Sequence, residues 1–287
     1  MEFLQQLVFA LVLGSSYALI AIGLTMVYGI LKILHVAHAG IYTLGAYVGL
    51  LVVTHLTHNF WVALIAGMVA SGLAGVLIYR GVYYYILRRS RIVPLIVSIG
   101  IFAAMNEFYR LVFGPYQHAF PAKLAFPMVI TPYFVITPKQ LLIIALTAVF
   151  LLVLYFVFNR TKVGLAWQAC SQDLAMAGAV GVPVDRAVAL NFLLGSALAG
   201  AAGILMAFYR NEVYPTMGNV VAYKAFVVVV LGGFGSVRGS VIAGLLLALV
   251  ETFLGSLEWF EFPRDAIAFL LLIFVLMFRP KGLFGRL

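Results

Sequence analysis

Long uninterrupted apolar runs constrain this chain more than any other feature of its sequence. The runs fall at about 4–31, 38–54, 60–79, 92–113, 139–158, 187–209, 220–235, 240–256 and 266–278. A helix that crosses a bilayer needs about 20 apolar residues, whereas the strands of a membrane barrel are alternating segments of roughly ten. We therefore predict an all-α, polytopic helical membrane protein with eight or nine transmembrane helices.

The composition excludes a soluble domain. Of the 287 residues 65% are hydrophobic and 9% are charged, whereas soluble domains carry about 25% charged residues. No long linker or low-complexity tract interrupts the chain, so residues 1–287 are predicted to form a single transmembrane domain. The sequence has no GxxxxGK[ST] phosphate loop and no paired acids, so we expect neither ATP binding by this chain nor any catalytic residue.

Basic residues predict the orientation, because cytoplasmic loops carry an excess of Lys and Arg. Most of the 18 basic residues lie in alternate loops: Lys32, Arg80, Arg88, Arg89, Arg91, Arg160, Lys162, Arg186, Arg238, Arg279, Lys281 and Arg286. Most acids lie in the opposite loops: Glu2, Glu212, Glu258, Glu261 and Asp265. The first set and the C-terminus are predicted to be cytoplasmic. The charge of +9 is thus scattered, which argues against nucleic-acid binding.

One cytoplasmic loop, at about 159–186, is too polar for lipid and too long for a simple connector. Its stretch GLAWQACSQDLAMAGAVGVPVDR mixes apolar residues with Gln168, Gln172 and Asp173, and Pro183 marks the end of a short helix. A helix lying on the membrane surface would carry more Lys and Arg on its polar face. We predict a helix that docks to a cytoplasmic protein, with Cys170 accessible to thiol reagents from that side.

Histidine pairs are the first candidates for chemistry within the membrane. His35 and His38, and likewise His55 and His58, have i, i+3 spacing that places two side chains on one helix face. A zinc site needs at least a third ligand, which neither pair has nearby. We expect no metal site, and we interpret the histidines as polar residues at a membrane boundary or in a cavity wall.

Two acids lie within apolar runs, where an ionised group costs roughly 2.5–3.5 kcal/mol on insertion scales. Glu107 is three residues before Arg110, and the pair predicts a local ion pair near the outer end of its helix. Glu251 has no obvious local partner, which makes it the stronger functional candidate. The alternative is that Glu251 meets a cation on another helix or on a second subunit.

Glycines punctuate several runs. Gly232, Gly233, Gly235 and Gly239 occur within VLGGFGSVRG and predict a helix break. Such a break is either a feature beside a substrate site, as in some transporters, or a simple tight turn. Four glycines elsewhere, namely Gly67, Gly75, Gly195 and Gly203, predict close helix packing.

Four blocks carry a resemblance to a known family. They are AIGLTMVYGILKILHVAHAGIYTLGAY, DLAMAGAVGVPVDRAVALNFLLGSALAGAAGIL, KAFVVVVLGGFGSVRGSVIAGLLLALVE and RPKGLFGR. In this order they resemble the branched-chain amino acid ABC transporter permeases, most closely the shorter of the two subunits. The resemblance implies a bacterial inner-membrane importer, with a second permease subunit, membrane lipid, cytoplasmic ATPase subunits and a periplasmic substrate-binding protein as partners. It implies no cofactor in this chain, with ATP and Mg²⁺ bound by the ATPase.

The resemblance also implies site residues. The family's ATPase-coupling segment matches the region of Ala169, Gln172, Asp173, Leu174, Ala177 and Gly181. Candidates for the translocation path or its hinges are His38, Glu251, Gly232, Gly233 and Gly235.

One departure from the family keeps the substrate open. Where the family commonly has Asn-Phe-Ala-His-Gly-Glu, this chain reads HVAHAG, so the carboxylate position is Gly40 and an additional imidazole stands at His35. Branched-chain amino acids are the default substrate, and urea, amides and aromatic or other carboxylates are alternatives. An extra imidazole without an acid suits an anionic group. A stand-alone secondary transporter or channel is the alternative function, which would leave the docking loop unexplained.

Overall fold

The computed structural model describes residues 2–87, 92–122, 129–130, 135–256, 263–279 and 281–285. Its helices are α1 (Glu2–Leu31), α2 (His38–Leu51), α3 (Phe60–Ile78), α4 (Tyr84–Ile86), α5 (Val93–Phe113), α6 (Pro138–Arg160), α7 (Lys162–Gln172), α8 (Leu174–Ala179), α9 (Val184–Arg210), α10 (Met217–Gly232), α11 (Val237–Leu254) and α12 (Arg264–Phe278). Short π-helical segments at Val52–Leu56 and Tyr79–Tyr83 extend α2 and α3. Four two-residue strands are β1 (His118–Ala119), β2 (Val129–Ile130), β3 (Val135–Ile136) and β4 (Glu212–Val213). Arg88, Arg89, Arg91, Glu258, Glu261 and Arg286, used above for the orientation, lie outside the described residues.

Membrane-spanning helices dominate the fold, as predicted. Within the described residues, seven helical segments are long and apolar enough to cross a membrane, while α10 and α12 are apolar but shorter. At 1.5 Å per residue, the 16 residues of α10 and the 15 of α12 reach only about 24 and 22 Å, against a hydrocarbon core of about 30 Å. The all-α membrane class is confirmed, and the count of eight or nine crossings stays a prediction.

Helix ends follow local sequence signals. Thr137 and Gln140 form a reciprocal capping box around Pro138 at the start of α6. The Ser236 hydroxyl accepts a hydrogen bond from the Gly239 backbone N–H at 3.1 Å and so caps α11. These caps satisfy N–H groups that would otherwise be unpaired at a helix start.

The core lies where α1, α2 and α9 meet, with α3, α10 and α11 around them. Small residues allow this contact, because a side chain on Gly45 would run into the backbone of Gly200, and one on Gly195 would meet Gly23. The close packing predicted for the four glycines is confirmed: Gly195 packs on α1, and the others form similarly tight contacts, namely Gly67 with Ile204, Gly75 with Ser196, and Gly203 with the Tyr42 carbonyl. α5, α6 and α12 are peripheral and expose apolar side chains.

The loops sort to two ends of the bundle. β1 pairs with β4 antiparallel, which joins the segment after α5 to the segment after α9. At the other end Tyr28, near the end of α1, stacks on Phe234 between α10 and α11 with ring centroids 4.5 Å apart. At each end, two loops that the charge pattern assigns to the same side of the membrane therefore lie together. We call the β1–β4 end the outer end and the opposite end the inner end, after the predicted orientation.

Candidate functional site

The inner-end segment 161–183 joins α6 to α9 through two helices rather than the single short helix predicted. Asp173 is in an extended conformation, with φ −155° and ψ 121°, which ends α7. Its carboxylate then accepts hydrogen bonds from the backbone N–H groups of Ala175 at 2.7 Å and Met176 at 3.0 Å, and so starts α8. Gly181, at φ +88°, turns the chain toward α9.

Trp167 holds α7 against the membrane helices. Its indole N–H donates a hydrogen bond to the Ala187 carbonyl of α9 at 2.8 Å, and its ring lies 5.2 Å from that of Phe158 in α6. The side-chain amide of Gln168 adds a bond of 2.9 Å to the Phe158 carbonyl. Since Trp167 is fully buried, α7 is fixed to both α6 and α9.

The proposed coupling residues divide between surface and interior. Gln172, Asp173, Leu174 and Gly181 are exposed, Ala169 is half-buried and Ala177 is buried, so Ala177 supports α8 from beneath. Beside them, Leu165, Met176 and Val180 are between 63% and 75% exposed. Together these make an exposed apolar surface of the kind that marks interaction sites. We call the exposed residues of α7, α8 and the following turn the inner-end patch.

Cys170 is 1% exposed, so the predicted accessibility of this thiol is wrong. It lies on the same side of α7 as Trp167, three residues away, and packs into the core. Burial also raises the pKa of the Cys170 thiol. Because the thiolate is the reactive form, both effects protect Cys170 from thiol reagents.

Two of the histidines are buried together. His35 precedes α2 and His38 opens it, with ring centroids 5.8 Å apart. His35 Nδ1 lies 2.8 Å from the Tyr83 hydroxyl, and both histidines line a mainly apolar cavity of about 60 Å³ next to α1 and α10. No group of three possible metal ligands occurs among the described residues. The other pair, His55 and His58, is exposed at the outer end.

Side chains of α5 occupy the space beside Gly40, which stands at the position of the family's carboxylate. The Tyr109 hydroxyl donates a hydrogen bond of 2.9 Å to the Gly40 carbonyl. A Cβ on Gly40 would lie 2.7 Å from the Met105 sulfur. The Met105 side chain therefore occupies the space that an acidic side chain at this position would need, so Gly40→Glu would require Met105 to move.

Glu251 does have a partner, on another helix. The Lys224 ammonium of α10 donates to Glu251 Oε2 at 2.9 Å and to the Tyr17 hydroxyl at 3.1 Å, and Tyr17 donates to the same carboxylate oxygen at 2.9 Å. Asp265 lies 3.4 Å from the same ammonium. Sequence reasoning missed Lys224, although a lysine inside the apolar run 220–235 is itself a signal that an acid must be near.

The glycine cluster breaks the helix, as predicted, and forms a tight turn between α10 and α11. α10 ends at Gly232, and Gly233 and Gly235 have φ of +93° and +80°. Backbone N–H groups of Leu283 and Phe284 donate to carbonyls of Leu231 and Gly232 at 2.8 and 3.2 Å, which pins the turn to the end of the chain.

The candidate path residues do not converge on one point. His38 lines the histidine cavity, whereas Lys224, the partner of Glu251, lines a second cavity nearer the outer end. Ile20 of α1 lines both, so the two cavities flank one stretch of α1. Gly235 instead lines a groove of about 470 Å³ at the inner end, between α6 and α11.

The Glu107–Arg110 ion pair forms as predicted, with 3.0 Å between Oε1 and the guanidinium, and both side chains are at least half exposed. This exposure fits the interpretation as a local pair rather than a wall of an enclosed path.

Comparison with known proteins identifies relatives over almost the whole chain. The sequence profile of the family described as branched-chain amino acid transport system / permease component matches residues 6–277. The chain is 35% identical to the high-affinity branched-chain amino acid transport system permease protein BraD of Pseudomonas aeruginosa, over 99% of this chain and 96% of BraD. It is 34% identical to LivH of Escherichia coli K12, over the same shares.

A more distant relative is LivM of Escherichia coli K12, also named a permease protein of the high-affinity branched-chain amino acid transport system. It is 28% identical over 94% of this chain and 67% of LivM. No solved structure matches the chain significantly. The profile match and the two relatives above one-third identity, each over nearly full length, agree with the spanning helices described above. This multi-pass membrane chain belongs to the family of permease components of branched-chain amino acid transport systems.

Proposed function

We propose that this chain is one of two permease subunits of an ATP-driven importer for branched-chain amino acids or a related small polar substrate. The names of BraD and LivH support the substrate class, and LivM, a second permease protein in the same organism as LivH, supports a heterodimer embedded in membrane lipid. A periplasmic binding protein delivers substrate, and cytoplasmic ATPase subunits bind ATP and Mg²⁺. This chain holds no cofactor and no ATP, and it is not an enzyme. It resides in a bacterial inner membrane with its C-terminus in the cytoplasm.

The observation that carries this proposal is the inner-end patch on a rigid support. Leu174, Met176 and Val180 present apolar surface to the solvent, and Trp167 ties α7 to both α6 and α9. α9 in turn packs on α1, α2 and α3. An ATPase that moves the patch would therefore displace the central helices as a unit, the kind of rigid-body change that bistable packing supports.

The path itself needs only weak contacts with the substrate. A ligand shifts a conformational equilibrium only by its differential affinity for the two states, so high affinity is best left to the delivering protein. We assign His38 and the Glu251 network to the walls of the path. Gly233 and Gly235, whose positive φ angles favour glycine, are assigned as the inner-end hinge together with Gly232.

A thiol-labelling experiment tests the orientation and the docking role together. In a Cys170→Ala background, Gln172→Cys places a thiol on the exposed side of the patch, and His58→Cys places one at the outer end. A membrane-impermeant maleimide is applied to right-side-out and inside-out vesicles, with and without the candidate ATPase. We expect Gln172→Cys to react only from the cytoplasmic side and to be protected by the ATPase, and His58→Cys to react only from the opposite side.

Two results would contradict the proposal. Reaction of Gln172→Cys from the periplasmic side would reverse the orientation. Cytoplasmic reaction that no ATPase blocks, together with substrate uptake that does not depend on ATP, would identify a stand-alone secondary transporter or channel instead.

A further inference from the structure

A cavity in the outer half of the bundle has charged side chains at its mouth whose hydrogen-bonding capacity is largely unused. It lies between α1, α9 and α10, and charged side chains line it at two levels. Arg210, at the end of α9, and Glu212, in β4, are at the mouth and are 51% and 31% exposed. Lys224 lies deeper, beside Tyr17.

The deeper cation, Lys224, is already satisfied. An ammonium has three N–H donors, and those of Lys224 face three acceptors: Glu251 Oε2, the Tyr17 hydroxyl and Asp265. A ligand that reached this level would have to displace one of them. The floor of the cavity is therefore polar but occupied.

The charges at the mouth are not satisfied in this way. The Arg210 guanidinium is 3.6 Å from the Glu212 carboxylate, longer than the 2.7–2.9 Å of a charge-assisted hydrogen bond. The described part of the chain offers the Arg210 side chain no hydrogen bond, although a guanidinium has five N–H donors. The Arg210 guanidinium and the Glu212 carboxylate are thus adjacent, and most of their hydrogen-bonding capacity is free.

Apolar side chains form much of the remaining lining, and Ser16, Tyr42 and Tyr214 add hydroxyl groups to it. Ile20, Met206, Met217 and Val221 contribute to the lining, so a ligand held at the mouth would place its remaining atoms against aliphatic and thioether groups. Adjacent opposite charges above a largely aliphatic wall match one ligand chemistry well: a carboxylate and an ammonium bonded to the same carbon atom, which also carries an aliphatic side chain.

We propose that this cavity is a binding site for a zwitterionic α-amino acid with an aliphatic side chain. The α-carboxylate accepts hydrogen bonds from Arg210, the α-ammonium donates to Glu212, and the side chain packs on Met206 and Met217. This inference rests on the proposed function and names where the substrate is held within it. A neutral ligand such as urea leaves both charges unused, and a simple anion is repelled by Glu212.

The size of the cavity adds a condition. Its volume of about 60 Å³ accommodates the polar head group but not a whole leucine, because ligand sites for small molecules usually measure about 300 Å³ or more. Methionine side chains are flexible and adapt to irregular contents, so Met206 and Met217 must shift when the ligand enters. Such a site binds weakly, as expected for a brief stop on a transport path.

The test uses the complete permease–ATPase complex, purified without binding protein. Binding is followed by saturation-transfer NMR, which detects weak ligands through their methyl protons. The probes are leucine, 4-methylpentanoate, which lacks the ammonium, and isoamylamine, which lacks the carboxylate. We expect a signal for leucine at least about tenfold stronger than for either analogue. Arg210→Gln and Glu212→Gln should each abolish it.

A matched control is available at the same end of the molecule. Glu107 and Arg110 form another half-exposed ion pair, outside the cavity, so Glu107→Gln and Arg110→Gln should leave the leucine signal unchanged. The exchange variant Arg210→Glu/Glu212→Arg keeps an ion pair at the mouth but reverses its polarity. We expect it to fold as the unmodified protein does, as judged by size-exclusion chromatography, and not to recover the signal.

Three results would overturn the inference: equal signals for leucine and its singly charged analogues, an unchanged signal in Arg210→Gln and Glu212→Gln, or full recovery in the exchange variant. The last would mean that the pair is structural. ATP-dependent leucine uptake by the unmodified complex, measured with binding protein in proteoliposomes, separates this inference from the proposed function. No uptake refutes branched-chain amino acids as the substrate in the proposed function, whereas normal uptake combined with unchanged variants refutes only the binding site.

Discussion

Replacing Lys224 by Met should expose how strongly the fold depends on one buried ion pair. Lys224 and Glu251 have side chains only 5% and 1% exposed, and their charged atoms are 2.9 Å apart. Lys224→Met keeps a long apolar side chain but leaves the Glu251 carboxylate with a single hydrogen bond, from Tyr17. The other carboxylate oxygen has no hydrogen-bond partner among the described residues.

The magnitude follows from what is lost. Lys224 makes two charge-assisted hydrogen bonds, each of a kind that contributes about 1.5–3 kcal/mol. Removing one partner of a buried ion pair costs about 3–5 kcal/mol, which agrees with the combined contribution of about 3–6 kcal/mol from the two hydrogen bonds. Because every 1.4 kcal/mol is a factor of ten, the ratio of folded to unfolded protein should fall by about two to three and a half orders of magnitude.

The double variant Lys224→Met/Glu251→Gln tests the reasoning. It removes both charges and keeps an acceptor for Tyr17, so we expect it to recover most of the lost stability, as neutral replacements of buried pairs often do. The assay is reversible unfolding in mixed micelles by titration with sodium dodecyl sulfate. Glu107→Gln, which breaks an exposed pair, serves as control and should cost about 0.2–1 kcal/mol.

A loss below about 1 kcal/mol in Lys224→Met, or a double variant no more stable than the single one, would refute this reasoning. The first result would mean that water reaches Glu251. The second would mean that the lysine stem contributes through packing rather than charge.

Two further predictions concern coupling and packing. Trp167→Phe removes the indole N–H that donates a hydrogen bond to the Ala187 carbonyl while keeping an aromatic ring. We expect fewer leucine molecules transported per ATP hydrolysed, while the free energy of unfolding falls by only about 1–2 kcal/mol. An unchanged ratio of leucine transported to ATP hydrolysed would contradict a coupling role. Gly45→Ala should cost about 1–3 kcal/mol in the same unfolding assay, because its Cβ would run into the Gly200 backbone. Gly100→Ala, where a Cβ meets no described atom within 4 Å, should be neutral or stabilising, and equal effects of the two would contradict the packing argument.

The inner-end segment shows how far sequence reasoning reached. Its polarity and length predicted a docking surface, but one helix was expected where Asp173 separates two. An Asp before an alanine-rich stretch is a strong N-cap signal, and it could have revealed the break. The burial of Cys170 had no comparable signal, because the face of α7 that turns inward depends on where Trp167 meets α6 and α9.

The glycine turn was predictable as a break but not as a packed one. Four glycines in ten residues weaken any helix, whatever surrounds them. Gly232 and Gly233 contact residues 281–285, about fifty positions later in the chain. A local sequence pattern does not report such a distant contact.

The sequence alone determined the class, the approximate helix ends and local pairs such as Glu107–Arg110, because hydrophobicity, capping and i, i+3 contacts depend on residues a few positions apart. Three contacts are visible only in the tertiary structure: Lys224 forms an ion pair with Glu251, Met105 fills the space beside Gly40, and Arg210 and Glu212 border the same cavity as Lys224. Each of these depends on which faces of distant helices meet. That choice is made by the packing of the whole bundle, where small residues permit close approach, and not by any single stretch of the chain.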